Sequence, residues 1–249
     1  MMGLRKFAKR VWGICYKDIK VYYLKGPIVL MGVVFPLFLW VAFYAGRGFG
    51  VREGIPSLLI LTLFFTSSSV TPVIPPWETR QKTLEMLLSR PVTISTVLAG
   101  DMVASTLFGL IFSIPPVVIG MAMGAFPNNL AYLVGMIFLT SLGFSALGMM
   151  FSALPTDIPA DVILLANTIK LPLIFVSGVL IPLDEMPSWV MPIALVSPLT
   201  YPTDFFKWLY SEGYFDMSTD AAITVLIISI MLLVAVKLHR RTIFSRLQR

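Results

Sequence analysis

The sequence predicts an all-α polytopic membrane protein, on three observations. Of its 249 residues 57% are hydrophobic and 13% charged, against the ~45–50% and ~25% usual in soluble domains. The apolar residues collect into six runs of about the twenty needed to cross a bilayer. The basic residues gather beside those runs and mostly on one side.

The N-terminal segment, 1–24, comes first. Leu4, Phe7, Ala8, Val11, Trp12, Ile19, Tyr22 and Tyr23 recur near the helical period, while Arg5, Lys6, Lys9, Arg10, Lys17 and Lys20 hold the other side. That pattern predicts an amphipathic helix lying in the membrane interface with its cations toward anionic lipid. A cleaved leader is not expected, because the first apolar run starts only after Lys25 and ends in Phe43-Tyr44 without a small-x-small exit.

Spans are predicted at 27–44, 55–74, 96–123, 129–153, 158–181 and 220–238. Seven Lys or Arg precede the first span, three follow the second (Arg80, Lys82, Arg90) and five follow the sixth (Lys237, Arg240, Arg241, Arg246, Arg249), together fifteen of the nineteen. Arg47, Arg52 and Lys207 fall on the opposite side, and Lys170 lies inside the fifth span. Six spans with both termini in the cytoplasm keep the clusters together.

Two connections are too long for turns. In 75–95, prolines bracket a short cytoplasmic helix from about Trp77 to Ser89, charged at its start and apolar at its end. The external segment 182–219 mixes five prolines with Trp189, Tyr201, Phe205, Phe206, Trp208 and Tyr210. Aromatic residues favour the membrane–water boundary, so this segment is expected to dip back into the outer leaflet as short helices. The whole chain reads as a single transmembrane domain.

Several function classes are disfavoured. The one histidine, His239, is placed by sequence in a basic tail, so no serine–histidine pair is expected within the bilayer. The phosphate loop of ATPases and the HExxH zinc pattern do not occur. A lone Cys15 allows neither an intrachain disulfide nor a cysteine metal cluster, and the fourteen methionines read as packing rather than a metal route. The net charge of +6 sits beside spans and points to anionic lipid rather than nucleic acid. Asp101, Asp157 and Asp161 fall near span ends, which weakens an ion-coupled reading.

The stretch from Glu78 to Pro91, ETRQKTLEMLLSRP, resembles the segment after the second span in membrane subunits of type-2 ABC exporters, Glu-x-Arg-x-Gly-Thr-Leu-Glu-x-Leu-Leu-x-x-Pro. Glu78, Arg80, Thr83, Leu84, Glu85, Leu87, Leu88 and Pro91 match, and Lys82 stands where glycine is usual. The run from Phe175 to Trp189, followed by Ser197-Pro-Leu-Thr-Tyr201, is similar to the family's fifth-span exit and re-entrant segment, with Ser197 where asparagine is common.

The resemblance implies a multi-pass permease of a prokaryotic-type inner membrane. It implies a dimer with a second copy or a similar permease, served by two copies of a separate ATP-binding subunit that carries the ATP and Mg. This chain would be no enzyme and would hold no cofactor or metal. The matching residues of 77–90 would form the coupling helix docked on that subunit.

The implied substrate path lies at the dimer axis, along Phe64, Phe65, Thr66, Ser67, Ser68 and Ser69 of the second span and Asn167, Lys170, Leu171, Phe175 and Ser177 of the fifth. Gly178, Pro182, Pro187, Trp189, Pro198 and Tyr201 mark the re-entrant exit. Two readings are open for the hydroxyl residues, path lining or close helix packing, and two for Lys170, a cation beside the path or a side chain snorkelling to the cytoplasm. The expected function is outward movement of a drug-like compound or lipid. Polysaccharide or glycolipid export within the same family, an ion-coupled transporter or channel, and a non-transporting membrane assembly or sensor subunit are the alternatives.

Overall fold

The computed structural model describes residues 3–44 and 50–247; Arg47 and Arg249 of the charge count lie outside them. All regular structure among these residues is helical. It comprises α1 (Leu4–Asp18) with a π turn at Ile19–Tyr23, α2 (Gly26–Tyr44), α3 (Val51–Ser68), α4 (Ile74–Arg80), α5 (Thr83–Leu88), α6 (Ile94–Phe112) and α7 (Ile114–Ala122). It continues with α8 (Leu130–Ser152), α9 (Pro159–Val176), a 3₁₀ turn at Leu183–Glu185, α10 (Met191–Val196), α11 (Thr200–Tyr210) and α12 (Met217–Leu247).

Among the described residues, four stretches are long and apolar enough to cross a membrane: Ile94–Ala122, Leu130–Ser152, Pro159–Val176 and Met217–His239. The first combines α6 and α7, which meet at Ser113 because Pro115 and Pro116 deny the ladder two donors. The expected first span coincides with α2, whose sequence is apolar from Gly26 to Tyr44. Where the second was expected, α3 starts with Arg52 and Glu53 and is buried all round from Gly54 to Ser68. It is the central post of the subunit, packed by α2, α6, α7, α8 and α11.

Small residues make this packing close. Ser67 and Ser141 share a hydrogen bond of 2.8 Å, and Ser141 Oγ donates to the Thr106 carbonyl at 2.9 Å, which joins α3, α6 and α8. At Gly143, under Ile228 of α12, an added Cβ would come within 2.6 Å of the isoleucine. Such contacts suit a membrane interior, where dispersion and hydrogen bonding rather than hydrophobic burial hold helices together.

Element ends follow local chemistry. Asn129 caps α8 by accepting from the Ala131 and Tyr132 amides at 3.0 and 3.1 Å. α3 stops at Ser68, six residues before the expected end of its span. Thr66 and Ser68 donate back to the Thr62 and Phe64 carbonyls, and Pro72, Pro75 and Pro76 then deny further ladder donors.

Candidate coupling site and translocation path

The 77–90 segment is two helices rather than the single one expected. α4 and α5 meet at Gln81–Lys82, where Lys82 adopts φ 56°, the left-handed conformation that glycine takes without steric cost. Lys82 is the position at which the type-2 exporter motif has glycine, so the turn is kept with a residue less suited to it.

The motif residues divide by exposure. Arg80, Glu85 and Pro91 are exposed, Thr83, Leu87 and Leu88 half-buried, and Leu84 buried against Ile14 and Val97. Glu78 departs from the expectation: at 1% exposed it faces inward, where it contacts α1 rather than an outside partner. Trp77 and Met86, absent from the predicted set, are exposed as well.

Glu78 accepts a hydrogen bond from the Lys17 ammonium, which also pairs with Asp18 at 2.9 Å. Asp18 and Asp101 of α6 are both fully buried and lie side by side behind that pair. Burial pulls the Lys17 ammonium down, but Asp18, Glu78 and Asp101 together hold it above the ordinary lysine range. Burial pushes the Glu78 carboxyl up and Lys17 opposes the rise. The Lys17–Glu78 contact fastens α1 to α4, while α1 itself packs along α6. Sequence reasoning assigned Lys17 to the lipid-facing side of α1 and missed it, since its partner is 61 positions away.

The predicted path residues do not share one surface. Phe64, Phe65, Thr66, Ser67 and Ser68 are buried inside the subunit, where their aromatic rings and hydroxyls serve packing; Phe64 meets Phe144 edge-on at 5.0 Å. Within the subunit these residues are enclosed, because α3 is central rather than peripheral. Ser69 is half-buried. On α9, Asn167, Leu171 and Phe175 are exposed, and Asn167 and Leu171 line a shallow groove with Ile163, Leu164 and Pro172, whereas Ser177 is buried.

Lys170 is 1% exposed and points away from that groove. Its ammonium donates to the Ser68 carbonyl at 2.8 Å and to Ser69 Oγ at 3.1 Å, and lies 5.7 Å from the Phe64 ring centre. Within the subunit it is enclosed and bonded to the end of α3. A lysine at bilayer depth costs about 2.5–3.5 kcal/mol, and charge-assisted hydrogen bonds of about 1.5–3 kcal/mol offset most of that.

Of the exit residues, Gly178 has φ +76° with Leu183 packed where a side chain would extend. Pro182 and Pro198 are half-buried, Pro187 and Trp189 exposed. Tyr201 donates to the Leu195 carbonyl at 2.9 Å. Tyr201, Phe205, Phe206 and Tyr210 of α11 are buried against the rest of the subunit, because α11 packs on α3 and α12. Asp204 holds the following loop by accepting from the Tyr214 and Phe215 amides at 2.7–2.9 Å.

His239 corrects the sequence reading. α12 carries this residue, buried at the end of its apolar stretch, onto the end of α8, where Nε2 lies 2.9 Å from both Ser152 Oγ and the Met149 carbonyl. A serine–histidine pair therefore forms. With Ser152 fully buried and also donating to the Met149 carbonyl, it closes the end of α8 and presents no nucleophile to solvent.

Comparison with known proteins accords with this architecture. A relative from Cyanophora paradoxa named as a transport permease, ycf38, is 37% identical over 90 residues, a segment covering 33% of this chain and 30% of that protein. The profile of the ABC-2 type transporter family matches residues 11–210, from α1 through α11. The chain therefore belongs to the ABC-2 type transporter family, as a membrane permease subunit.

Proposed function

We propose that this permease is the membrane half of an ATP-driven exporter that moves an amphiphilic, drug-like or lipid substrate outward across a prokaryotic-type inner membrane. The observation that carries the reading is the α4–α5 segment. It links the central post α3 directly to the spanning α6 and leaves Arg80, Glu85 and Met86 exposed at its tip, in a chain that has no phosphate loop of its own.

In this reading α2 and α3 complete a six-span subunit with both termini cytoplasmic. Two ATP-binding subunits grip the α4–α5 tips of two permease copies. The exposed α9 faces, with Asn167, Leu171 and Phe175, meet near the dimer axis to form the path, and α10–α11 form its outer end. The basic side of α1 rests on anionic lipid. Hydroxyl and amide groups beside aromatic rings suit a substrate with one polar and one apolar part. The test is co-purification of the tagged chain with an ATP-binding subunit, followed by ATPase stimulation with a panel of drug-like compounds and lipids. Stimulation is expected, and its loss in a chain lacking residues 81–88 would tie it to this segment.

A second reading, ion coupling, draws on Asp101 and Asp220, both fully buried in spanning helices. Solute uptake driven by a proton or sodium gradient without ATP would favour it.

A further inference from the structure

Lys170 occupies a position that the rest of α9 fills with apolar residues. Pro159, Val162, Ala166, Lys170 and Ile174 form the buried stripe of this helix at three- and four-residue spacing, and the groove face lies opposite. The carbonyl it reaches belongs to Ser68, the last residue of α3. That carbonyl would ordinarily accept from the amide four residues on, but that residue is Pro72 and has no N–H. The lysine therefore supplies the missing donor, and its charge sits at the negative end of the α3 dipole.

α9 packs only lightly on α8 and α10 and still less on α3, so this side chain bridges a gap that backbone packing leaves open. Six residues past Ser68, α4 begins at Ile74. We propose that Lys170 is a positioning residue: its hydrogen bonds to the end of α3 make α9 follow that end, so a displacement of the α4–α5 segment reaches the helix that faces the groove. The proposal rests on the transport reading for what drives the displacement, while the joint itself is tested without it.

The test uses the full chain in lipid nanodiscs on a Cys15→Ser background, diluted with unlabelled chain, with spin labels at Asp161 of α9 and Trp77 of α4. A second pair, at Leu130 of α8 and Leu226 of α12, reports on the rest of the fold. Lys170→Met and Lys170→Gln, the latter too short to reach Ser68, broaden or shift the Asp161–Trp77 distance distribution. Lys170→Arg restores it, and the Leu130–Leu226 distribution stays put throughout. Distributions for Lys170→Gln or Lys170→Met that match the parent overturn the proposal, as does equal broadening of both pairs, which would mean a general folding role. Failure of the parent to transport with ATP would instead count against the exporter reading and leave the joint standing.

Discussion

Lys17 and Glu78, 61 residues apart in sequence, share a charge-assisted hydrogen bond that fastens the N-terminal amphipathic helix to the segment after α3. Asp18 and Asp101 are buried behind it, where α1 packs along α6.

Removing the lysine leaves the buried Glu78 without its cation. Lys17→Met is expected to destabilise the protein by about 1–3 kcal/mol, the cost of stranding a buried polar group, while Lys17→Arg retains most of the stability; unfolding in detergent measures both. The pH dependence has a definite sign. Because the folded Lys17 binds its proton more tightly than the unfolded chain does, its contribution is complete below the ordinary lysine range and lost as pH rises through the folded value. The alkaline loss of stability is therefore smaller in Lys17→Met than in the parent.

The exposed tip carries its own prediction. Glu85→Arg reverses charge on the face proposed to meet an ATP-binding subunit, at an exposed position. ATP-driven transport should fall while membrane insertion and thermal stability remain those of the parent. Normal transport would remove Glu85 from the docking role.

At the α4–α5 turn, Lys82→Gly relieves a left-handed backbone conformation that costs a side-chain-bearing residue about 1–2 kcal/mol. A gain in unfolding free energy is expected, with part of it offset by the greater freedom of glycine in the unfolded chain. Lys82→Val, β-branched at the same φ, should lose stability.

Cys15 gives a labelling test of where α1 sits. Its thiol is fully buried against α6, and burial, with Asp18 and Asp101 nearby, pushes it up to about 11. At pH 8 the thiolate fraction is about one in a thousand, so maleimide should react slowly with the folded protein and fully after denaturation. Rapid labelling of the native protein would place α1 away from α6.

Much of the fold was legible in the chain, because apolar length and proline position act locally. The long apolar runs became α6–α7, α8, α9 and α12, and the left-handed turn falls where a glycine motif position could be read. The enclosure of α3 was not legible, since a lipid-facing helix and a protein-facing one have the same apolar composition. The pairings of Lys17 with Glu78, Lys170 with Ser68 and His239 with Ser152 span 61, 102 and 87 positions. No local pattern encodes them, so three residues read as solvated, path-facing or tail proved to be internal fasteners.

The most direct test of the exporter reading is transport in inside-out vesicles holding this permease and its co-purified ATP-binding subunit, assayed with the compounds that stimulate its ATPase. Accumulation inside the vesicles that requires ATP, is indifferent to proton and sodium gradients and disappears with Glu85→Arg is the predicted result. Equal accumulation by the permease alone, with no ATP-binding subunit and no ATP, would contradict it.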